Sequence, residues 1–125
     1  MFDIAIETIE DVKVIKLDGE LDGMGASVAQ QQVQPLAKAG HRILFDVSGV
    51  TSTTSAGIRL FLVTYRYTSN SGGKLILAGL RPDLEGVLAV TGFLKSFTVC
   101  QTVQDGLQQF RSDSVIPAEP NQNPE

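Results

Sequence analysis

The 125-residue chain is 42% hydrophobic and carries 10 lysine and arginine residues against 14 aspartate and glutamate residues, a formal net charge of −4. This length allows one domain with its own core, and the charge balance lacks the basic patch expected of a nucleic-acid-binding protein. No apolar run approaches the ~18 residues of a membrane span, the N-terminus lacks the basic region of a signal peptide, and a single cysteine excludes a disulfide framework. We therefore expect a cytoplasmic protein that does not insert into membranes.

The first part of the chain predicts a hairpin followed by a helix. Residues 2–7 alternate apolar and polar side chains and residues 12–17 continue that pattern after a turn, which predicts two paired strands. A loop over 18–23 leads into a helix over 25–39. Within this helix Pro35 removes one backbone hydrogen bond and should bend or shorten it.

The middle of the chain predicts a buried strand, a polar loop and a second helix. Residues 42–47 are almost continuously apolar, as in a central strand covered on both faces. All five residues of 51–55 carry a hydroxyl group and predict a loop, with Ser55 as N-cap of a helix over 55–69. That helix has two apolar rows, so it either packs on two sides, our preferred interpretation, or offers one side to a partner. The rows are Ile58, Phe61, Leu62 and Tyr65, and Leu60, Val63 and Tyr67.

The last part of the chain predicts three further elements and a tail. They are a strand over 74–78, a short helix opened by Pro82 and ended by Gly92, and a strand over 97–100. Thr102 and Asp105 match a capping box that starts a final helix. The domain then spans 1–112, because 113–125 is rich in Pro, Asn, Gln and Glu and should be a disordered acidic tail. The order ββαβαβαβα predicts an α/β fold with a mixed, mostly parallel central sheet flanked by helices.

Four short segments, at matching spacing, resemble a STAS domain, the sulfate-transporter and anti-sigma-factor-antagonist family, in its small single-domain bacterial form. The segments are Gly19–Asp22, Asp46–Val50, Thr54–Ile58, and Val90–Phe93 followed by Phe97. The resemblance covers roughly residues 2–111 and implies the STAS fold. It also implies the role of an anti-sigma factor antagonist in a partner-switching pathway.

By this resemblance, Ser55 is the serine phosphorylated by a partner, an anti-sigma factor with a histidine-kinase-like ATPase fold. The unphosphorylated antagonist binds that partner and frees a sigma factor, and a PP2C-type phosphatase restores binding after phosphorylation. Asp22 aligns with an acidic residue near the partner contact. Thr54 stands where the family usually has Asp, so Ser52, Thr53 and Thr54 are alternative acceptors.

The predicted partner-binding surface surrounds the start of the second helix. It comprises Asp22, Thr54, Ser55, Ala56, Gly57, Arg59 and Leu60. Three alternatives remain open: Ser55 as a plain helix cap, a STAS adaptor in a phosphatase-controlled signalling output, and a STAS subunit of a lipid-transport ATPase. The last two bind without phosphorylation. A monomer is the simplest expectation.

Enzymatic functions find little support in the sequence. The segment Thr53–Gly57 lacks the first glycine of a nucleophile elbow, and no phosphate-binding P-loop motif is present. One histidine and one cysteine are too few for a zinc site. We therefore expect no catalysis, metal or cofactor, and we expect Cys100 to be a small buried hydrophobic residue.

Overall fold

The computed structural model describes residues 1–92 and 94–115 of the chain. Within these residues a five-stranded sheet has the spatial order β1-β2-β3-β4-β5, antiparallel between the first two strands and parallel elsewhere. The strands are β1 (Phe2–Ile9), β2 (Val12–Leu21), β3 (Arg42–Thr53), β4 (Lys74–Ala78) and β5 (Thr98–Cys100). The helices are α1 (Gly23–Lys38), α2 (Ser55–Asn70), α3 (Pro82–Thr91) and α4 (Val103–Val115), with a 3₁₀ turn at Leu94–Ser96. The predicted fold class and element order are confirmed.

The sheet has a hydrophobic layer on each face. Phe45 of β3 belongs to the larger core, with residues of α1, α2 and α3, and its ring lies 5.6 Å from that of Phe61. Leu44, one residue earlier, points to the opposite face and packs in a smaller core with Leu107 and Phe110 of α4. Full burial of such side chains contributes about 1.5–3 kcal/mol each. Burial on both faces explains why β3 begins as a nearly continuous apolar run.

Helix α2 packs on two sides, as preferred above. One row, represented by Phe61, faces the sheet. In the other row, Tyr67 lies within 3.4 Å of Gln34 Nε2 and beneath the Lys38 ammonium, both on α1. Leu60, also in this second row, is only 1% exposed. Other parts of the same protein therefore cover the second apolar row.

Strand β3 is longer than predicted and includes most of the hydroxyl-rich segment. Its pairing with β2 continues to Leu21 and Thr53, and the register shifts twice, so that β3 carries an extra residue each time. The predicted loops at 18–23 and 51–55 are therefore wrong over most of their length. β-Branched threonines suit a strand, and bulges let the two strands stay paired despite unequal lengths.

Helix α1 continues through Pro35 to Lys38, so the expected shortening does not occur. Pro35 is exposed, and its carbonyl still accepts a hydrogen bond from the Ala39 amide at 3.1 Å. Because proline has no backbone N–H group, the helix lacks one backbone hydrogen bond at this position. The packing of its buried face, which includes Val33 and Ala37, is retained.

Helix α4 extends the ordered domain beyond the predicted boundary at residue 112. Lys74 donates to Asp113 at 2.8 Å, and Arg111 donates to Glu10 at 2.6 Å. The Arg42 guanidinium reaches the Phe110 carbonyl at 3.4 Å. Because these contacts hold the last turns of α4 against the sheet, residues 113–115 are helical and the tail prediction is wrong for them. The rest of the predicted tail, 116–125, lies outside the described residues.

Candidate functional site

The start of α2 is capped by Thr54. Its backbone is extended, and its Oγ1 accepts a hydrogen bond from the Ala56 amide at 3.2 Å. The Thr54 amide donates to the carbonyl of Leu21 at 3.2 Å, which carries the contact between β2 and β3 up to the cap. Ser55 is therefore the first helical residue, and its prediction as the N-cap is wrong by one position.

Ser55 differs from its neighbours in having a free hydroxyl. Its side chain is exposed, and among the described residues no hydrogen bond engages it. The hydroxyl of Thr53 lies 3.3 Å from the Thr54 carbonyl oxygen and 3.5 Å from that of Leu21. Thr54 Oγ1 also lies 3.5 Å from the latter oxygen. Of these three hydroxyl groups, that of Ser55 alone is both exposed and without a hydrogen bond among the described residues.

Ser52, the remaining alternative acceptor, is also exposed but lies within β3. It is paired in register with Glu20 of β2. A phosphate on Ser52 would meet this like charge across the strand pair, which is unfavourable. At Ser55 a phosphate would instead meet the unsatisfied amides and positive end of a helix.

Asp22 caps the neighbouring helix. Its Oδ1 accepts a hydrogen bond from the Gly25 amide at 2.9 Å, and it follows Leu21, whose carbonyl binds the Thr54 amide. The starts of α1 and α2 therefore lie side by side at the same end of the sheet. Asp22 is exposed as well, so the capping hydrogen bond does not bury this residue.

Two predicted partner-binding residues are inside the protein. Leu60 is buried in the larger core, so its prediction as a partner contact is wrong. Gly57 is also buried: a Cβ there would overlap Thr53 Oγ1 and lie 2.9 Å from the side chain of Leu21. Gly57 thus serves the close packing of α2 against the end of β2. Ala56 is half-buried against the core, and Arg59 is exposed one turn beyond Ser55.

An open groove adjoins Ser55 and includes a helix that the sequence prediction did not connect with the site. Residues of β3, α2 and α3 line it: Thr53, Thr54, Ser55, Ile58, Arg59, Leu62, Val87 and Thr91. We call this surface the α2–α3 groove. Val87 is 43% exposed in this groove, and its position beside Ser55 depends on where α3 packs, which local sequence does not specify.

Other chemistry-bearing residues are accounted for structurally. Asp46 Oδ1 accepts hydrogen bonds from the Ser48 amide and hydroxyl at 3.1 and 2.7 Å, which fix the backbone of this segment locally. Partial burial raises the pKa of the Cys100 thiol, and the negative charge of Asp105 raises it further by a smaller amount. In the described part of the chain, no cluster of three or more His, Cys, Asp or Glu side chains could hold a metal.

The described helices include none that is long and apolar enough to cross a membrane.

Comparisons with known proteins match nearly the whole described chain. A family model for the STAS domain matches residues 3–106. BtrV of Bordetella bronchiseptica, named an anti-sigma factor antagonist, is 22% identical over 110 residues, which cover 87% of this chain and 95% of that protein. The anti-sigma-B factor antagonist of Bacillus subtilis is 26% identical over 94 residues, covering 75% and 86%.

Solved structures share the same fold. An anti-sigma factor antagonist from Mycobacterium paratuberculosis superposes with a TM-score of 0.80 at 22% identity, covering 89% of this chain and 95% of its own. The Bacillus cell fate determinant SpoIIAA in its phosphorylated form superposes with a TM-score of 0.72 at 21% identity, covering 86% and 99%.

Proposed function

The chain belongs to the STAS domain family, and we propose that it is an anti-sigma factor antagonist switched by phosphorylation of Ser55. The observation that carries this proposal is the free, exposed hydroxyl of Ser55 at the first position of α2, beside a separate cap. Relatives named as anti-sigma factor antagonists support it. A phosphorylated form of one structural neighbour also supports it.

In this proposal the partner is an anti-sigma factor that is also a serine kinase with a histidine-kinase-like ATPase fold. It transfers the γ-phosphoryl group of ATP to Ser55 Oγ; the hydroxyl proton is released and ADP leaves. A PP2C-type phosphatase hydrolyses the phosphate and restores the free hydroxyl. The chain is then a monomeric cytoplasmic binding module and a kinase substrate, not an enzyme.

The fold suits a switch that requires no internal rearrangement. A phosphate on Ser55 adds about −1.5 to −2 charges at the positive end of α2, where amides of the first turn remain available. Because Ser55 is exposed, the added group meets solvent in the free protein. In a complex with the anti-sigma factor the same charge would be buried without a countercharge, which costs several kcal/mol. A loss of about 2.7 kcal/mol in binding free energy already lowers affinity a hundredfold.

A second candidate is a STAS adaptor or subunit that binds without phosphorylation, in phosphatase-controlled signalling or with a lipid-transport ATPase. The observation that favours it is Thr54, which occupies the position where the family usually places Asp. Thr54 supplies the cap without the carboxylate that would accompany the acceptor serine. The two candidates differ in whether Ser55 is ever modified and in the partner that is bound.

One experiment separates them. The protein is captured with its partners from its native cell, and a candidate kinase is then purified and incubated with the chain and ATP. We expect an ATPase-fold kinase in the captured material and one phosphate, mapped by peptide mass spectrometry to Ser55 and absent from Ser55→Ala. Capture of a membrane-transporter ATPase with no phosphate on the chain would favour the second candidate.

A further inference from the structure

Two partly apolar surfaces with opposite charges flank the start of α2. In the α2–α3 groove, Arg59 is the only charged residue among the described lining residues, and Val87 is 43% exposed. On the α1 side, Met24 and Val28 are exposed beside the carboxylates of Glu20 and Asp22, and the Met1 ammonium lies 3.9 Å from Glu20 Oε1, so this surface keeps a net negative charge. A partner covering both surfaces would therefore meet a positive charge on one side of Ser55 and a net negative charge on the other.

The groove itself has an apolar floor and wall. Ile58 is buried at 8% exposure and Leu62 packs partly against the larger core, so both hold fixed positions. Val87 and Thr91 lie one turn apart on α3 and form the facing wall. The Thr91 hydroxyl already donates to the Leu88 carbonyl at 2.9 Å. The groove thus suits an apolar side chain better than a polar one.

Arg59 is placed to bind either a partner or a phosphate. It is exposed and takes part in no ion pair among the described residues. Ser55 and Arg59 are four residues apart on one helix, a spacing at which Cβ atoms lie about 5–6 Å apart. Both also line the groove. A guanidinium can bind a carboxylate or a phosphate with two parallel hydrogen bonds.

We propose that Arg59 has two mutually exclusive ligands: a carboxylate of the anti-sigma factor and the phosphate of Ser55. Beside this carboxylate, the anti-sigma factor has an apolar side chain, which occupies the α2–α3 groove between Ile58 and Val87. Phosphorylation then removes the positive charge that the partner's carboxylate requires and places a negative charge opposite it. This inference rests on the proposed function, since it names the partner's chemistry at the same site.

The intramolecular half of the proposal can be tested without any partner. Phosphoserine is incorporated at position 55 during synthesis, and the second pKa of its phosphate is measured by ³¹P NMR in otherwise wild-type protein, Arg59→Ala and Arg66→Ala. Arg66 is an exposed arginine two turns further along α2 and serves as the matched control. An ion pair with Arg59 lowers the phosphate pKa, so Arg59→Ala should raise it by roughly 0.3–0.7 pH unit. Equal titration midpoints in all three proteins would overturn the proposal.

The intermolecular half uses the purified kinase that modifies the chain. Arg59→Glu and Val87→Asp should each weaken its binding by more than about tenfold, whereas Arg59→Lys should retain most of it. Arg66→Glu and Val90→Asp are the controls: Val90 is 88% exposed on the same helix but outside the groove. Circular dichroism of each variant verifies that its fold is retained.

The outcomes separate this proposal from the one on which it rests. Binding that is lost on phosphorylation but unaffected by Arg59→Glu and Val87→Asp would overturn the groove and leave the phosphorylation switch intact. If no kinase binds wild-type protein, the proposed function fails, while the ³¹P titration still decides whether Arg59 binds the phosphate. A dimer of the isolated protein that Val87→Asp dissociates would assign the groove to a second copy and overturn it as a partner site.

Discussion

The hydroxyl of Thr54 accepts the hydrogen bond from the Ala56 amide at 3.2 Å that caps α2, and this leaves the adjacent Ser55 outside the capping interaction. In the proposed switch, capping and modification therefore belong to different residues. Aspartate, which the family usually has at this position, is also a strong N-cap residue. Threonine preserves the cap and lacks the negative charge that aspartate would place beside Ser55, the proposed phosphate acceptor.

This assignment predicts different stabilities for substitutions at two adjacent positions. Thr54→Val keeps the shape of the side chain but removes the cap, and we expect it to lower the free energy of unfolding by about 1 kcal/mol. Ser55→Ala removes an exposed, unbonded hydroxyl and should change stability by less than about 0.5 kcal/mol. Urea denaturation measures both. Equal losses in the two variants would mean that both hydroxyls contribute to the cap.

Thr54→Asp should retain the cap and add a negative charge at the positive end of α2. We expect it to stabilise the protein by about 0.3–1 kcal/mol, an increment that falls with added salt. The measurement is urea denaturation at low and high ionic strength, with Thr51→Asp, on the exposed part of β3, as the control. A salt-independent or destabilising effect of Thr54→Asp would contradict the position of this side chain at the helix terminus.

Two glycines should respond in opposite directions to replacement by alanine. At Gly57 the added Cβ meets Thr53 and Leu21, and such overpacking costs about 1–3 kcal/mol. At Gly86, in α3, no heavy atom lies within 4 Å of the added Cβ, so the higher helix propensity of alanine should stabilise by about 0.5–1 kcal/mol. Thermal or urea unfolding of both variants tests this. Tolerance of Gly57→Ala would refute the close packing of α2 on Leu21.

Asp22 should show a separable structural and binding role. Asp22→Ala loses the cap on α1 and should cost about 1 kcal/mol of stability, whereas Asp22→Asn keeps a capping oxygen and should cost much less. If the carboxylate contacts the partner, Asp22→Asn weakens binding despite its near-normal stability. Normal binding by Asp22→Asn would restrict Asp22 to the capping of α1.

The ion pair between Glu10 and Arg111 predicts a pH dependence. The hydrogen bond from Arg111 holds the pKa of the Glu10 carboxyl below its usual range, so its stabilising effect is present above the glutamate pKa of about 4.3. That effect is lost as the pH falls through the lowered pKa of the folded state. Urea midpoints of Glu10→Gln should therefore lie below wild type at pH 7 and converge with it in acid. A constant difference across this range would contradict the contribution of the pair.

The sequence predicts the layers of this fold well, because alternation of apolar residues decides which side chains reach a core. It predicts the end of β3 poorly. A run such as Thr51–Ser55 is compatible with a loop or with a bulged strand, and pairing with Glu20 and Leu21, more than thirty residues away, decides between them. The same long-range contact, through the Leu21 carbonyl, extends the backbone at Thr54 and makes it the cap instead of Ser55.

The candidate site, too, is predicted from the sequence only in part. Ser55, Arg59 and Asp22 are exposed together at one end of the sheet, where their positions after strands predict them to be. Leu60 lies in an apolar row that suits either a partner or α1, and only the packing of α1 reveals which of these covers it. Val87 contributes to the groove because of where α3 sits, which its local sequence does not encode.

The central claim is that a phosphate on Ser55 controls binding, and its most direct measurement is the affinity of the purified anti-sigma factor for two forms of this chain. One form carries serine at position 55 and the other carries phosphoserine, and isothermal titration calorimetry compares them at one ionic strength. We predict that the phosphate lowers affinity by about a hundredfold or more. Equal affinities for the two forms would contradict the claim.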